Sequence, residues 1–215
     1  MKTEVLLYMP RKLRSCPAGL VFHLCNRAAR QIALFQNPFE YHQVLEVLRE
    51  ALNKFPVSLY AYCIMPNHWH LLVRAQRTNA ISRFMHWFGT THAARWRKFR
   101  EAVGRGAVYQ NRFRSHPVEG PLAFLKTAAY IERNALAAGL VSEASVWPWG
   151  SAHLGRDVPL APWPHPRPSR WKQLLAHPLD KETLRQIHYA EISSLPFQAP
   201  PAESLESERK LRLVV

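Results

Sequence analysis

Apolar positions recur along the chain with two different periods. Residues 19–25 (GLVFHLC), 57–65 (VSLYAYCIM) and 68–75 (HWHLLVRA) read as short strands. The last two are parted only by Pro66-Asn67, so they are expected to pair antiparallel. Pro38–Lys54 carries Val44, Leu45, Leu48 and Leu52 at helical spacing. A longer helix is predicted over Ala80–Arg100, with Ile81, Phe84, Met85, Phe88 and Phe99 as its stripe and Asn79 as N-cap. After the Gly104/Gly106 loop, Ala107–Val118 reads as one or two strands. A third helix is expected over Pro121–Asn134, opened by proline and striped by Phe124, Ala128 and Ile131. The order β-α-β-β-α-β plus a further helix is an α+β, ferredoxin-like pattern: an antiparallel sheet with helices on one face. That pattern alone says little about function.

No internal repeat is visible. Composition shifts near residue 156, where DVPLAPWPHPRP packs five prolines into twelve residues. Such density opposes helix and central strand, which predicts a semi-rigid tether. The expected organisation is a main domain at 1–155, a Pro-rich linker at 156–170 and a tail at 171–215. The tail has one helix over about 179–193, built on Leu184, Ile187 and Ile192, and disorder is expected after Pro196.

Composition narrows the function. The 215 residues are 47% apolar, enough for a core, and carry a formal charge of +14. No acid lies between Glu50 and Glu101, while eight Lys and Arg do. One-sided charge of this kind points to a polyanion, nucleic acid above all. Asp157 and Asp180 are the only aspartates, which excludes Asp-clustered two-metal chemistry from the first 156 residues. Three cysteines without CxxC spacing give neither a disulfide framework nor a cysteine zinc site. No apolar run reaches a membrane span and the N-terminal segment has no signal-peptide core, so the expected setting is cytosolic.

Two constellations carry candidate chemistry. His68 and His70 stand two apart on a strand, so both point to one face, where neutral imidazoles can grip a divalent ion; Trp69 points to the other. Tyr130 and Asn134 stand four apart on a helix, with Lys126 one turn earlier. A tyrosine hydroxyl beside a metal can attack a phosphate. Taken singly, each is equally an incidental polar pair on a sheet and an amphipathic tyrosine at a helix boundary.

Together, and in order, these motifs resemble a known family. PRKLRSCPAGLVFHLCNRAAR, AYCIMPNHWHLLV, VYQNRFRSHPV, YIERNALAAGLV and WPWGS are similar to successive motifs of the HUH single-tyrosine transposases, specifically the REP-associated tyrosine transposases of bacteria. The resemblance covers most of residues 9–155. It implies the HUH variant of the ferredoxin-like fold, with His68, His70 and Asn134 as ligands of Mg²⁺ or Mn²⁺ and Tyr130 as nucleophile. It implies cleavage and rejoining of single-stranded DNA at hairpin-forming palindromic repeats through a 5′-phosphotyrosine. It also implies a nucleoid-associated cytoplasmic protein acting as a monomer or homodimer. Arg11, Lys12 and Arg14 form a basic N-terminal arm. Arg83, Arg97 and Arg100 lie off the apolar stripe of the long helix, Arg112 and Arg114 alternate about Phe113, and with Lys126 these are the candidate DNA contacts. Tyr109 and Gln110 are expected to line the cleft. Ala-Leu after Asn134, where Pro-Val is commoner, and an LPFQ tail depart from the family pattern, as do residues 1–8 before Met9-Pro10-Arg11. The rival readings are a non-catalytic ferredoxin-like nucleic-acid-binding module and a structural zinc protein.

Overall fold

The computed structural model describes residues 16–199 except 103, 105 and 157. The basic arm at Arg11, Lys12 and Arg14 lies outside them. The elements run β1 (Val21–Arg27), α1 (Pro38–Lys54), β2 (Val57–Met65), β3 (His68–Ala75), α2 (Ala80–Phe99), β4 (Arg114–Glu119), α3 (Pro121–Glu132), α4 (Asn134–Ala137), α5 (Trp171–Ala176), α6 (Lys181–Ser193) and β5 (Phe197–Gln198). They form one five-stranded sheet in the order β2-β3-β1-β4-β5, antiparallel except for the β4–β5 pair.

The α+β class and its mainly antiparallel sheet agree with the sequence pattern, but the helices divide between both faces. On β3, period-two alternation sends Trp69, Leu71 and Val73 to a core shared with α1 and α2. Leu72 faces a second core, shared with α3, α5 and α6. A register irregularity between Leu59 and Ala61 lets β2 serve both layers. Tyr60, Cys63 and Met65 join the second core, while Leu59, Tyr62 and Ile64 stay in the first. Burying both sheet faces needs two helix layers, and the tail supplies part of the second.

Local chemistry explains the helix limits. Asn37 caps α1 by accepting from the Glu40 amide at 3.2 Å, with Pro38 in the first turn. Asn79 does not cap α2: it sits at φ 63° in the left-handed region with no side-chain cap bond. Phe99 is also off the core, 46% exposed and tilted against Phe39. Of the expected 107–118 strand only β4 forms, with Tyr109 adding an isolated bridge to Ala28.

The Pro-rich segment does not hang free. The Ala161 amide donates to the Leu59 carbonyl at 2.8 Å, and Trp163 Nε1 to the Tyr60 carbonyl at 3.0 Å. Upstream, the amide of Ser151 donates to the Tyr62 carbonyl at 2.8 Å and Trp147 Nε1 to the Ile64 carbonyl at 3.0 Å. β2 is an edge strand, and these donors cover carbonyls it would otherwise leave open. Prolines exclude regular structure here but leave Ala161 and Trp163 free to donate. Beyond Pro196, where disorder was expected, Phe197 pairs with Val118 and is buried in the second core.

One buried carboxylate holds this arrangement. Glu132, at the end of α3, accepts from Trp171 Nε1 at 2.6 Å, Ser151 Oγ at 2.8 Å and Arg167 Nη2 at 3.1 Å. Glu132→Ala would leave the buried Ser151 hydroxyl and Trp171 indole without an acceptor. Each is expected to cost about 1–3 kcal/mol, read as a lower midpoint of urea unfolding.

Candidate active site

The register of three strands builds the site floor. β1 lies between β3 and β4, pairing Cys25 with His70, Arg27 with His68 and His23 with His116. These residues alternate in phase and share the face that looks toward α3. Four imidazoles therefore form a row across the sheet. Ring centroids are 5.0 Å apart for His68–His70, 5.0 Å for His70–His23 and 4.9 Å for His23–His116.

Two hydrogen bonds orient the row. His68 Nδ1 donates to Asn67 Oδ1 at 2.7 Å, which leaves its Nε2 with a lone pair. His70 Nδ1 lies 2.9 Å from His23 Nε2. Burial, first of all, pushes the proton affinity of each ring down. For His68 the value falls to about 4, with Arg27 nearby adding to the effect, and for His116 also to about 4. His70 and His23 are lowered well below the ordinary value by burial and by their histidine neighbours. All four are neutral at neutral pH, the state in which imidazole binds metal.

The roof comes from α3, α4 and α6. Helical spacing continues through Arg133, which sets the side chains of Tyr130 and Asn134 beside one another, with Asn134 also next to His68. The Tyr130 ring stands edge-on to His70 at 5.5 Å and to His23 at 5.8 Å. Glu191 of α6 lies beside its hydroxyl. Burial and this carboxylate raise the phenol above its usual range. Burial likewise lifts the Glu191 carboxyl to about 7, against the opposing pull of Arg114. The enclosed cleft has a volume of ≈ 380 Å³ and is lined by His68, His70, Tyr130 and Glu191 with Arg27, Arg112 and Arg114.

Residues 17–134 match the family described as "Transposase IS200 like". The chain belongs to that family. A REP-associated tyrosine transposase solved bound to a REP hairpin shares the fold, with a TM-score of 0.55 and 18% identity over 66% of this chain and 82% of that one. A Deinococcus radiodurans R1 protein described as a transposase aligns at 16% identity, covering 60% of this chain and 95% of its own, with a TM-score of 0.40. No curated protein matches significantly. Among the described residues no helix is long and apolar enough to cross a membrane.

This transposase brings His68, His70, Tyr130 and Asn134 together, with Arg112 and Arg114 on the cleft wall. Gln110 lines the cleft too, whereas Tyr109 turns inward to Trp69 Nε1 and His92 Nδ1. Of the other candidates, Arg100 and Lys126 are committed elsewhere. Arg100 pairs with buried Glu40 and lies over Trp96, tying α2 to α1. Lys126 Nζ binds Thr183 Oγ1 at 2.7 Å and Asp180 at 3.4 Å, tying α3 to α6. Arg97 donates to the Gly106 carbonyl at 2.9 Å, and Arg83 is exposed on α2. Sequence reasoning missed His23, His116 and Glu191, and also His188 of α6, which lines the cleft with its ring edge-on to Tyr130 at 5.8 Å. His23 had a signal, since it stands two before Cys25 on a predicted strand. Glu191 had none, because nothing in the tail says which helix it will meet.

Two overlapping donor sets fit a divalent ion. His68, His70 and Asn134 offer two imidazoles and an amide oxygen. His23, His70 and Glu191 offer ligand atoms all within 4.8 Å of one another. Buried His23 Nδ1 and Glu191 Oε1 have no hydrogen-bond partner, so donor capacity is in place. Nitrogen and oxygen donors of this mix suit Mn²⁺ or Mg²⁺.

The pH dependence of stability follows. Each depressed histidine binds a proton more readily when unfolded, so its stabilising effect is present above pH 6.5 and is lost as pH falls toward about 4. Glu191 opposes them: its raised carboxyl favours the folded state below 4.5, and that gain fades as pH rises to about 7. In chelator, melting temperature is expected to fall steeply below pH 6.5. Glu191→Gln is expected to steepen that fall and to melt higher than wild type at pH 8. Equal curves for the two proteins would contradict the burial assigned to Glu191.

Proposed function

We propose that the chain is a metal-dependent single-strand DNA endonuclease and strand transferase of the REP-associated type, acting on hairpin-forming repeats in the bacterial nucleoid. The observation that carries this reading is Tyr130 placed over neutral His68 and His70, beside Asn134, in a cleft walled by arginine. The solved relative with a REP hairpin supports the substrate class.

Mg²⁺ or Mn²⁺, when held by His68, His70 and Asn134, would polarise the scissile phosphate and stabilise the leaving oxygen. The Tyr130 hydroxyl attacks phosphorus in line and the bond from phosphorus to the 3′ oxygen breaks. The phenolic proton passes to the Glu191 carboxylate beside it, and the leaving 3′ oxygen takes a proton from solvent. The products are a 5′-phosphotyrosine and a free 3′-OH. Arg112 and Arg114 balance the phosphate charge. A second 3′-OH reverses the sequence and rejoins DNA, so no nucleotide triphosphate is consumed. Nucleophile and histidines meet within one chain, which supports action as a monomer.

With His23 Nε2 as acceptor for His70 Nδ1, His70 would keep its Nε2 lone pair for the metal. Three outcomes are expected. Tyr130→Phe abolishes cleavage of labelled hairpin strands while binding stays within a few-fold of wild type. Log affinity for single strands falls with log salt by about 0.7 per phosphate neutralised. His23→Phe weakens Mn²⁺ binding about 10–100-fold by titration calorimetry, and His23→Gln, which restores an acceptor, recovers most of it. Full cleavage by Tyr130→Phe would overturn the mechanism.

A further inference from the structure

Beside the active-site cleft lies a larger cavity that the chemistry leaves unused. It occupies ≈ 680 Å³ between α2 and residues 107–113 and shares Asn26, Asn111 and Arg112 with the cleft. That volume falls in the range of roughly 300–1,000 Å³ usual for small-ligand sites. One wall is a single face of α2: Ser82, His86, Gly89, Ala93 and Arg97, at helical spacing. The facing wall includes Val108, Tyr109, Asn111 and Phe113.

We infer that this cavity is a subsite for one unpaired nucleotide of the DNA strand as it continues from the scissile phosphate. The inference rests on the reading of the cleft as a single-strand DNA site and extends it to a second position. Three observations select that occupant. Among the described residues no carboxylate lines the cavity, whereas Arg97 and Arg112 do, which suits a phosphate. Phe113 and Met85 offer flat, polarisable contact for a base face. Asn79, Ser82, His86, Thr90 and Asn111 mix donors and acceptors, the equipment for reading a base edge exposed only when the base is unpaired. The shared residues join this cavity to the cleft, so a strand can pass from one to the other.

Gly89 points the same way. Glycine inside a helix costs about 1 kcal/mol relative to alanine, and a Cβ at Gly89 would meet nothing within 4 Å. Protein packing therefore does not demand glycine at this position. Its effect is to keep the cavity open for close approach of a ligand.

The test uses the full chain and fluorescence anisotropy with two probes: a mixed-sequence single-stranded 20-mer, and the same strand with its bases replaced by abasic sites. Gly89→Phe fills the cavity from a position that touches nothing. It is expected to bind the intact strand about tenfold more weakly than wild type while melting no lower. Wild type is expected to lose a similar factor with the abasic strand, and Gly89→Phe to be nearly indifferent to base removal. Phe113→Ala, which opens the cavity, is expected to weaken intact-strand binding in the same direction and guards against misfolding of the first variant. If both variants bind the intact strand within twofold of wild type, the subsite is overturned. Wild-type cleavage that still depends on Tyr130 would then show that the active-site reading survives alone. If wild type binds no single strand at all, both readings fail.

Discussion

The pairing of β1 with both β3 and β4 is the constraint on which the site depends. It sets His23 between His70 and His116 and aligns all three with His68 under α3. A one-residue slip of β1 would turn His23 into the first core and Phe22 and Leu24 out of it. Those two apolar side chains are almost wholly buried, so the hydrophobic layer that fixes the register also fixes the polar row. Burial then keeps the imidazoles neutral and able to bind metal. The stability lost in acid and the metal-binding state thus share one cause.

A second set of contacts makes the site dependent on the C-terminal third of the chain. The Glu132 carboxylate draws in Arg167 and Trp171 from beyond the Pro-rich segment, and Lys126 draws in Thr183 and Asp180. With α6 docked in this way, Glu191 reaches Tyr130. The family match ends at residue 134, so the carboxylate beside Tyr130 comes from outside the matched segment.

Local patterns were legible where one principle dominated. The limits of α1, β2 and β3 follow from periodicity with proline and asparagine punctuation, and the HxH spacing placed both histidines on one face. The four-residue spacing put Tyr130 and Asn134 on one helix face, but their candidacy came from the family resemblance. What failed depended on partners distant in sequence. Arg100 and Lys126 read as free cations until Glu40, Asp180 and Thr183 came to meet them. The Pro-rich segment read as a tether because proline excludes regular structure, yet the carbonyls of edge strand β2 gave its remaining donors a place to bind. The second helix layer combines α3 with a tail whose apolar stripe was visible but whose destination was not.

The account centres on Tyr130 as the group that bonds to DNA. The most direct measurement is mass spectrometry of the tryptic peptide containing Tyr130, after incubation with Mn²⁺ and single strands covering the flanks of the gene that encodes the protein. A peptide carrying a phospho-linked nucleotide on Tyr130, absent in chelator and in His68→Ala, is the predicted result. Strand cleavage with Tyr130 unmodified, or with the nucleotide on another residue, would contradict it.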